Sequence, residues 1–247
     1  MVDSPVGALA QLPGTLVLWD VDHTLIENGG VSKATYARAF ELLTGHAPDV
    51  RPMTDGRTDF QIMRELLAAN SVDADQYTEG SQLQDVLLAA MDEKAPELPE
   101  RGHVLPGVVE ALTALSTVPT AVQSVLTGNI SPNAFAKLHA FDLDKWVDLD
   151  VGGFGSDDIV RSKLVDSARR KVEAKYGLAF DRSSTVLVGD TLLDIKAAHD
   201  GDAKVIAVAT GVYSVEQLTD AGADHVLESL ADFGQFADAL LAVRLGS

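Results

Sequence analysis

The run Thr15-Leu16-Val17-Leu18-Trp19 opens directly onto Asp20-Val21-Asp22-His23-Thr24. A stretch of strand length with no polar alternation predicts a strand buried on both faces, the situation found in parallel sheets that carry helices on either side. Residues 121–126, 147–151, 185–188 and 205–208 repeat this pattern, and Val226 with Leu227 marks a last edge. Between them lie amphipathic helical patterns: 107–115 after Pro106, 132–139 behind Ser131, 161–176 ending at Gly177, and 192–199. Strands alternating with helices through right-handed crossovers predict an α/β fold with a doubly wound, Rossmann-like parallel-sheet core.

Residues 29–101 break that rhythm. The spacing predicts consecutive helices without a strand: one capped by Ser32 and stopping at Gly45, a second over 58–69 and a third over 74–91. A crossover between parallel strands needs one helix, so this stretch is expected to form a helical bundle of its own inserted after the first strand. The expected division is a core of residues 1–28 and 102–247 and a helical cap of 29–101. Glu27-Asn28-Gly29-Gly30 reads as the outgoing linker, and residues 98–102 followed by Pro106-Gly107 as the returning one.

Charge narrows the function. The 247 residues hold 19 basic and 37 acidic side chains, a formal charge of -18, which repels nucleic-acid backbones and anionic lipid surfaces. No nucleic-acid partner is expected. A phosphorylated ligand would meet the same field, and would need a local cluster of cations or a bound metal. With no cysteine there is neither a disulfide framework nor a thiolate zinc site, and the six histidines show no i, i+4 pairing. Residues 1–13 carry Asp3 and no Lys or Arg, which fits neither a signal nor a transit peptide, and no run approaches the roughly 20 apolar residues of a membrane span. The expectation is a cytoplasmic protein with no membrane partner.

Asp20 and Asp22 fall where open α/β sheets place their ligands, at the carboxyl end of a strand. Two carboxylates one residue apart at a strand tip repel unless a cation joins them, which points to a divalent metal. A turn that uses Asp as a cap or turn former is the plainer alternative. Two further strand ends carry suitable groups. Leu126-Thr127-Gly128-Asn129 supplies a hydroxyl followed by a small residue, suited to a phosphate oxygen held by a side chain and main-chain amides. Gly189-Asp190-Thr191-Leu192-Leu193-Asp194 supplies two acids four apart across a turn into a helix, able to meet at the edge of a metal site.

Together these residues resemble the haloacid dehalogenase superfamily, whose first motif is Asp-x-Asp-x-Thr, whose second is a Ser or Thr ending the next core strand, and whose fourth is an acidic pair after Gly. The similarity is to the phosphoglycolate phosphatase-like and β-phosphoglucomutase-like branch and runs from about Leu16 to Asp224, with the helical insert resembling that branch's cap. The resemblance implies that Asp20 is a nucleophile that becomes phosphorylated and Asp22 a general acid and base. It also implies Mg2+ held by Asp20, the main-chain carbonyl of Asp22 and Asp190, with Asp194 in support and Thr127 and Gly128 on the phosphoryl group. For the cation of the third motif the candidates are Arg161 and Lys163, and Arg161 is preferred. His23 stands where the family most often has Gly, a position His tolerates better than most residues. Within the insert, Asp55-Gly56-Arg57-Thr58-Asp59 is a polar loop in which Arg57 is a candidate substrate contact. The implied activity is hydrolysis of a small phosphorylated metabolite; a sugar-phosphate mutase with the same core, or a binding module without turnover, are the alternatives.

Overall fold

The computed structural model describes residues 7, 9, 11–77 and 82–246. Strands β1 (Thr15–Trp19), β4 (Ala121–Thr127), β5 (Gly153–Phe154), β6 (Thr185–Gly189), β7 (Lys204–Val208) and β8 (His225–Leu227) form a sheet of order β5-β4-β1-β6-β7-β8. Every pairing in it is parallel, with Leu16 opposite Val122 on one side and Thr185 on the other. The strand order turns back on itself around β1, so the carboxyl ends of β1, β4 and β6 face one crevice.

The uninterrupted apolar run of β1 has a direct cause. Val17 and Trp19 enter the cluster formed with Leu112 and Leu115 of α4 (Val108–Ser116) and Phe236 and Leu240 of α9 (Phe233–Leu245). Leu16 and Leu18 enter the opposite cluster, with Leu164 and Ala168 of α6 (Lys163–Tyr176), Ile195 of α7 (Leu192–Asp200) and Leu218 of α8 (Val215–Asp220). Alternate side chains thus reach opposite faces, and both faces are roofed by helices. Each such side chain contributes about 1.5–3 kcal/mol on burial. Trp19 also anchors its ring nitrogen, which donates to Oε1 of Gln123 at 3.2 Å.

The inserted stretch carries α1 (Val31–Thr44), α2 (Asp59–Ala69) and α3 (Gln84–Lys94), which share a cluster of Phe40, Met63, Leu67 and Leu87 to which the core adds Ile130. It leaves and rejoins through a two-stranded antiparallel ribbon, β2 (Ile26–Glu27) with β3 (His103–Val104), in register Ile26 to Val104 and Glu27 to His103. α5 (Ser131–His139) follows β4.

Three local expectations change. Ser32 does not cap α1: the helix starts after Gly30, whose φ of 80° needs no side chain, and the Ser32 hydroxyl is spent on Asp22. The third helix is shorter than 74–91, with a single 3₁₀ turn at Ala74–Gln76 and α3 beginning at Gln84; residues 78–81 lie outside the described residues. The strand expected at 147–151 is displaced to β5. Asp148 accepts a hydrogen bond from the Asp150 amide at 3.1 Å and bends the chain into a 3₁₀ turn, while Gly153, with no Cβ to collide with the Leu164 carbonyl, pairs with β4. No helix among the described residues is long and apolar enough to cross a membrane.

Candidate active site

Asp20 follows the last residue of β1, and its amide donates to the Val188 carbonyl of β6 at 2.8 Å, so the sheet itself fixes where the carboxylate emerges. Asp190 follows β6 directly, and Asp194 is locked by a capping box: its carboxylate accepts from the Thr191 amide at 3.0 Å and the Thr191 hydroxyl at 2.7 Å. Asp20, Asp190 and Asp194 are all buried, and each offers an oxygen within 4.8 Å of the others. Backbone is packed tightly around them. A Cβ on Gly211 would stand 1.9 Å from Oδ2 of Asp190, so any larger residue there would push that carboxylate out of place.

Three acids face one cation. Arg161 places Nη2 2.8 Å from Oδ1 of Asp20 and 2.5 Å from Oδ1 of Asp194. Thr24 donates its hydroxyl to Oδ1 of Asp190 at 3.3 Å. The remaining negative charge shows in the acidities. Burial pushes the Asp20 carboxyl up to about 7, helped by Asp194 and Asp22 and opposed by Arg161. Burial first, then Asp194 and Asp20, also drive Asp190 far above the usual carboxylate range. A compact set of hard oxygen donors with uncompensated charge is what a divalent cation such as Mg2+ satisfies, and these residues fit one.

Asp22 lives differently. Its Oδ1 accepts from Nδ2 of Asn28 at 2.8 Å and the Ser32 hydroxyl at 3.2 Å, and its Oδ2 from Nδ2 of Asn129 at 2.9 Å and Nζ of Lys137 at 2.6 Å. Although burial alone would raise it, Lys137 and these donors hold the carboxyl down to about 2. Twenty-three per cent of its side-chain surface stays open, and Asp22 lines the cavity shared with Asp20, Thr127, Arg161 and Asp190.

The insert reaches into this cavity. The Asp59 amide donates to the Gly128 carbonyl at 2.8 Å, and a Cβ on Gly128 would lie 2.1 Å from the Arg57 carbonyl. The Asp59 carboxylate accepts from the Ile130 amide at 2.9 Å and the Tyr36 hydroxyl at 2.6 Å. Arg161 donates through Nη1 to the Gly56 carbonyl at 3.4 Å, joining core and insert at the site. The enclosed space is about 50 Å³, room for only a few water-sized groups.

Known proteins share this plan. The family model described as HAD-hydrolase-like matches residues 160–233. A curated relative, the "probable phosphatase IndB" of Dickeya dadantii, is 27% identical over 228 residues, covering 92% of this chain and 94% of that one. Over its carboxyl-terminal part the chain is similar to haloacid dehalogenase-like hydrolases, and over most of its length to a phosphatase relative. Solved structures carry the same fold. A predicted phosphatase from Clostridium acetobutylicum superposes with a TM-score of 0.65 at 15% identity, over 91% of this chain and 98% of that one. A candidate β-phosphoglucomutase from Bacteroides vulgatus gives 0.67 at 18% identity, over 94% and 90%.

Against the superfamily pattern, the structure brings Asp20, Asp22, Thr127, Gly128, Arg161 and Asp190 to one cavity, with Asp194 directly behind. Of the two candidate cations Arg161 is the one at the site. Lys163 is a correction: its Nζ pairs with Asp158 at 3.1 Å, its side chain is 63% exposed, and it is not among the residues that line the cavity. The Asp22 carboxylate is turned to Lys137, which leaves its main-chain oxygen as the group it could offer a metal, and Asp194, expected in support, lies with Asp20 and Asp190 in one acidic trio. Arg57 lines the cavity but is paired with Glu65 at 3.0 Å. Sequence reasoning missed Lys137, Asn129, Tyr36 and Asp59. The one available signal was the stripe Asn129, Asn133 and Lys137, polar residues at intervals of four facing inward.

Proposed function

We propose that the protein is a magnesium-dependent phosphatase that hydrolyses a small phosphate monoester through an aspartyl phosphate on Asp20. The observation that carries this reading is the charge imbalance at the sheet tip: Asp20, Asp190 and Asp194 converge on one point with Arg161 as their cation. The similarity to the IndB phosphatase supports it.

An oxygen of Asp20 attacks phosphorus, forming a P–O bond as the bond to the leaving oxygen breaks. Arg161, already on Asp20, neutralises the equatorial phosphoryl oxygens, and Thr127 with the Gly128 amide holds another. Mg2+, held by Asp20, Asp190 and a main-chain oxygen of Asp22, supplies Lewis-acid charge neutralisation when bound. Asp22, once the phosphate monoanion has passed it a proton, gives that proton to the leaving oxygen; it then takes one from the water that cleaves the acyl phosphate and releases it with the free phosphate, so that both carboxylates return to their starting state. As a carboxylate held near 2 it is ready for the second task; the first requires that the incoming phosphate's negative charge raise its proton affinity. The substrate is a small phosphorylated metabolite, in keeping with the confined cavity, and the cytoplasm is where such esters are found.

The test is phosphate release from p-nitrophenyl phosphate and a panel of phosphorylated metabolites, with Mg2+ and with EDTA, scoring free phosphate against isomerised sugar phosphate. Activity that needs Mg2+ and falls by at least about 1,000-fold in Asp20→Asn is expected. Undiminished turnover in that variant rules the mechanism out.

A further inference from the structure

Lys137 is 1% exposed, yet no step above uses it. It sits in α5, one hundred and fifteen positions along the chain from Asp22, and makes two bonds of 2.6 Å, to Oδ2 of Asp22 and to Oδ1 of Asn129. An ammonium group only donates, so the Asn129 atom it touches must be the carbonyl oxygen. The amide nitrogen of Asn129 is thereby turned the other way, where it donates to Oδ2 of Asp22 at 2.9 Å and to the Thr127 hydroxyl oxygen at 2.7 Å. Asp22, an acceptor on both oxygens, enforces the same orientation from its side.

The consequence falls on Thr127. Its oxygen accepts from Nδ2 of Asn129 at 2.7 Å and from the Asn129 amide at 3.3 Å. With its lone pairs engaged there, the hydroxyl has one proton left, and among the described residues no acceptor takes it. Thr127 is 1% exposed and lines the cavity, so this unclaimed proton belongs to whatever occupies the space beside Asp20. A hydroxyl whose oxygen were free could instead rotate to accept, presenting a lone pair to a phosphoryl oxygen and repelling it.

We propose that Lys137 is a positioning residue for phosphoryl binding: by locking the Asn129 amide it fixes the Thr127 hydroxyl as a donor into the cavity. The claim deepens the phosphatase reading and rests on its phosphoryl site. It does not depend on the charge of Lys137 reaching the substrate, which separates it from a general electrostatic effect and from a purely structural role opposite Asp22.

The experiment is calorimetric titration of the Mg2+-loaded protein with inorganic phosphate, for wild type, Thr127→Val, Lys137→Met and the double variant, beside p-nitrophenyl phosphate turnover. Thr127→Val is expected to weaken phosphate binding about tenfold, the effect of one hydrogen bond to a charged group. Lys137→Met is expected to weaken it about five- to tenfold, and the double variant to bind within about twofold of Thr127→Val, because the second change has nothing left to misalign. Effects that multiply, or Lys137→Met binding as wild type does, overturn the proposal. Should Lys137→Met fail to fold, Asn129→Leu replaces it with the same expectations and leaves the Lys137 pair with Asp22 intact. A wild type that binds phosphate but hydrolyses no ester sinks the phosphatase reading and leaves the role of Lys137 standing; one that binds no phosphate sinks both.

Discussion

The two sides of the cavity are built on opposite electrical plans. On one side Asp20, Asp190 and Asp194 share Arg161 and are left with excess negative charge; on the other Asp22 alone has Lys137 and three neutral donors. Two acids separated by a single residue therefore sit far apart in acidity, about 7 for Asp20 and about 2 for Asp22. The starved side is where a ligand must supply positive charge. The satisfied side already has its charge paired within the protein.

The comparison can be broken in several ways. The largest effect is expected at Asp190. Asp190→Asn removes a donor from the starved side and should cut Mg2+-dependent turnover by at least about 100-fold, with a weaker apparent affinity for Mg2+; an unchanged metal dependence would place the ion elsewhere. Next is stability on the satisfied side. Lys137→Met strands the Asp22 carboxylate among neutral groups and should cost about 3 kcal/mol in urea unfolding, the low end for a broken buried pair because Asp22 is partly open. In an Asp22→Asn background the same change should cost much less.

Acidity separates the sides further. The folded chain keeps a proton on Asp20 up to about pH 7 that the unfolded chain releases near pH 4. Metal-free stability should therefore fall by a few kcal/mol as pH rises from about 4 to 7. Asp22 acts in the other direction, its contribution being present above about pH 4 and lost as pH falls toward 2. Thermal melts with EDTA should show the decline toward neutral pH, and Mg2+ or Asp20→Asn should lessen it, Asp190 and Asp59 supplying the remainder. The smallest effect is at Lys163: Lys163→Met should leave turnover within about twofold, since an exposed pair with Asp158 contributes little.

What could be read from the chain was local. β1 announces itself because both its faces are covered, and Asp20, Asp190 and Thr127 follow from their places at strand ends. Arg161 lies two residues ahead of α6, in the turn that enters it, so the helix expected from 161 begins only at Lys163. Lys137 stayed hidden because, beside His139 near the end of a nine-residue helix, it looks like an ordinary solvated cation favourable to the helix dipole. Its meaning depends on Asp22 and Asn129 meeting it in space. Asp59 was equally opaque, since its partners Tyr36 and Ile130 come from a helix of the insert and a loop of the core. The misplaced strand at 147–151 shows apolar β-branched residues overruled by one Asp side chain that captured a nearby amide.

The narrow ribbon of β2 and β3 has a mechanical meaning. Both passages of the chain into the helical insert are paired with each other, Ile26 with Val104 and Glu27 with His103, so the insert is tethered by a doubled strap. Asn28 rides at the end of that strap with its amide on Asp22. Any displacement of the insert would therefore pull on Asp22 through Asn28, and so couple the position of the helices to the acid proposed to handle the protons.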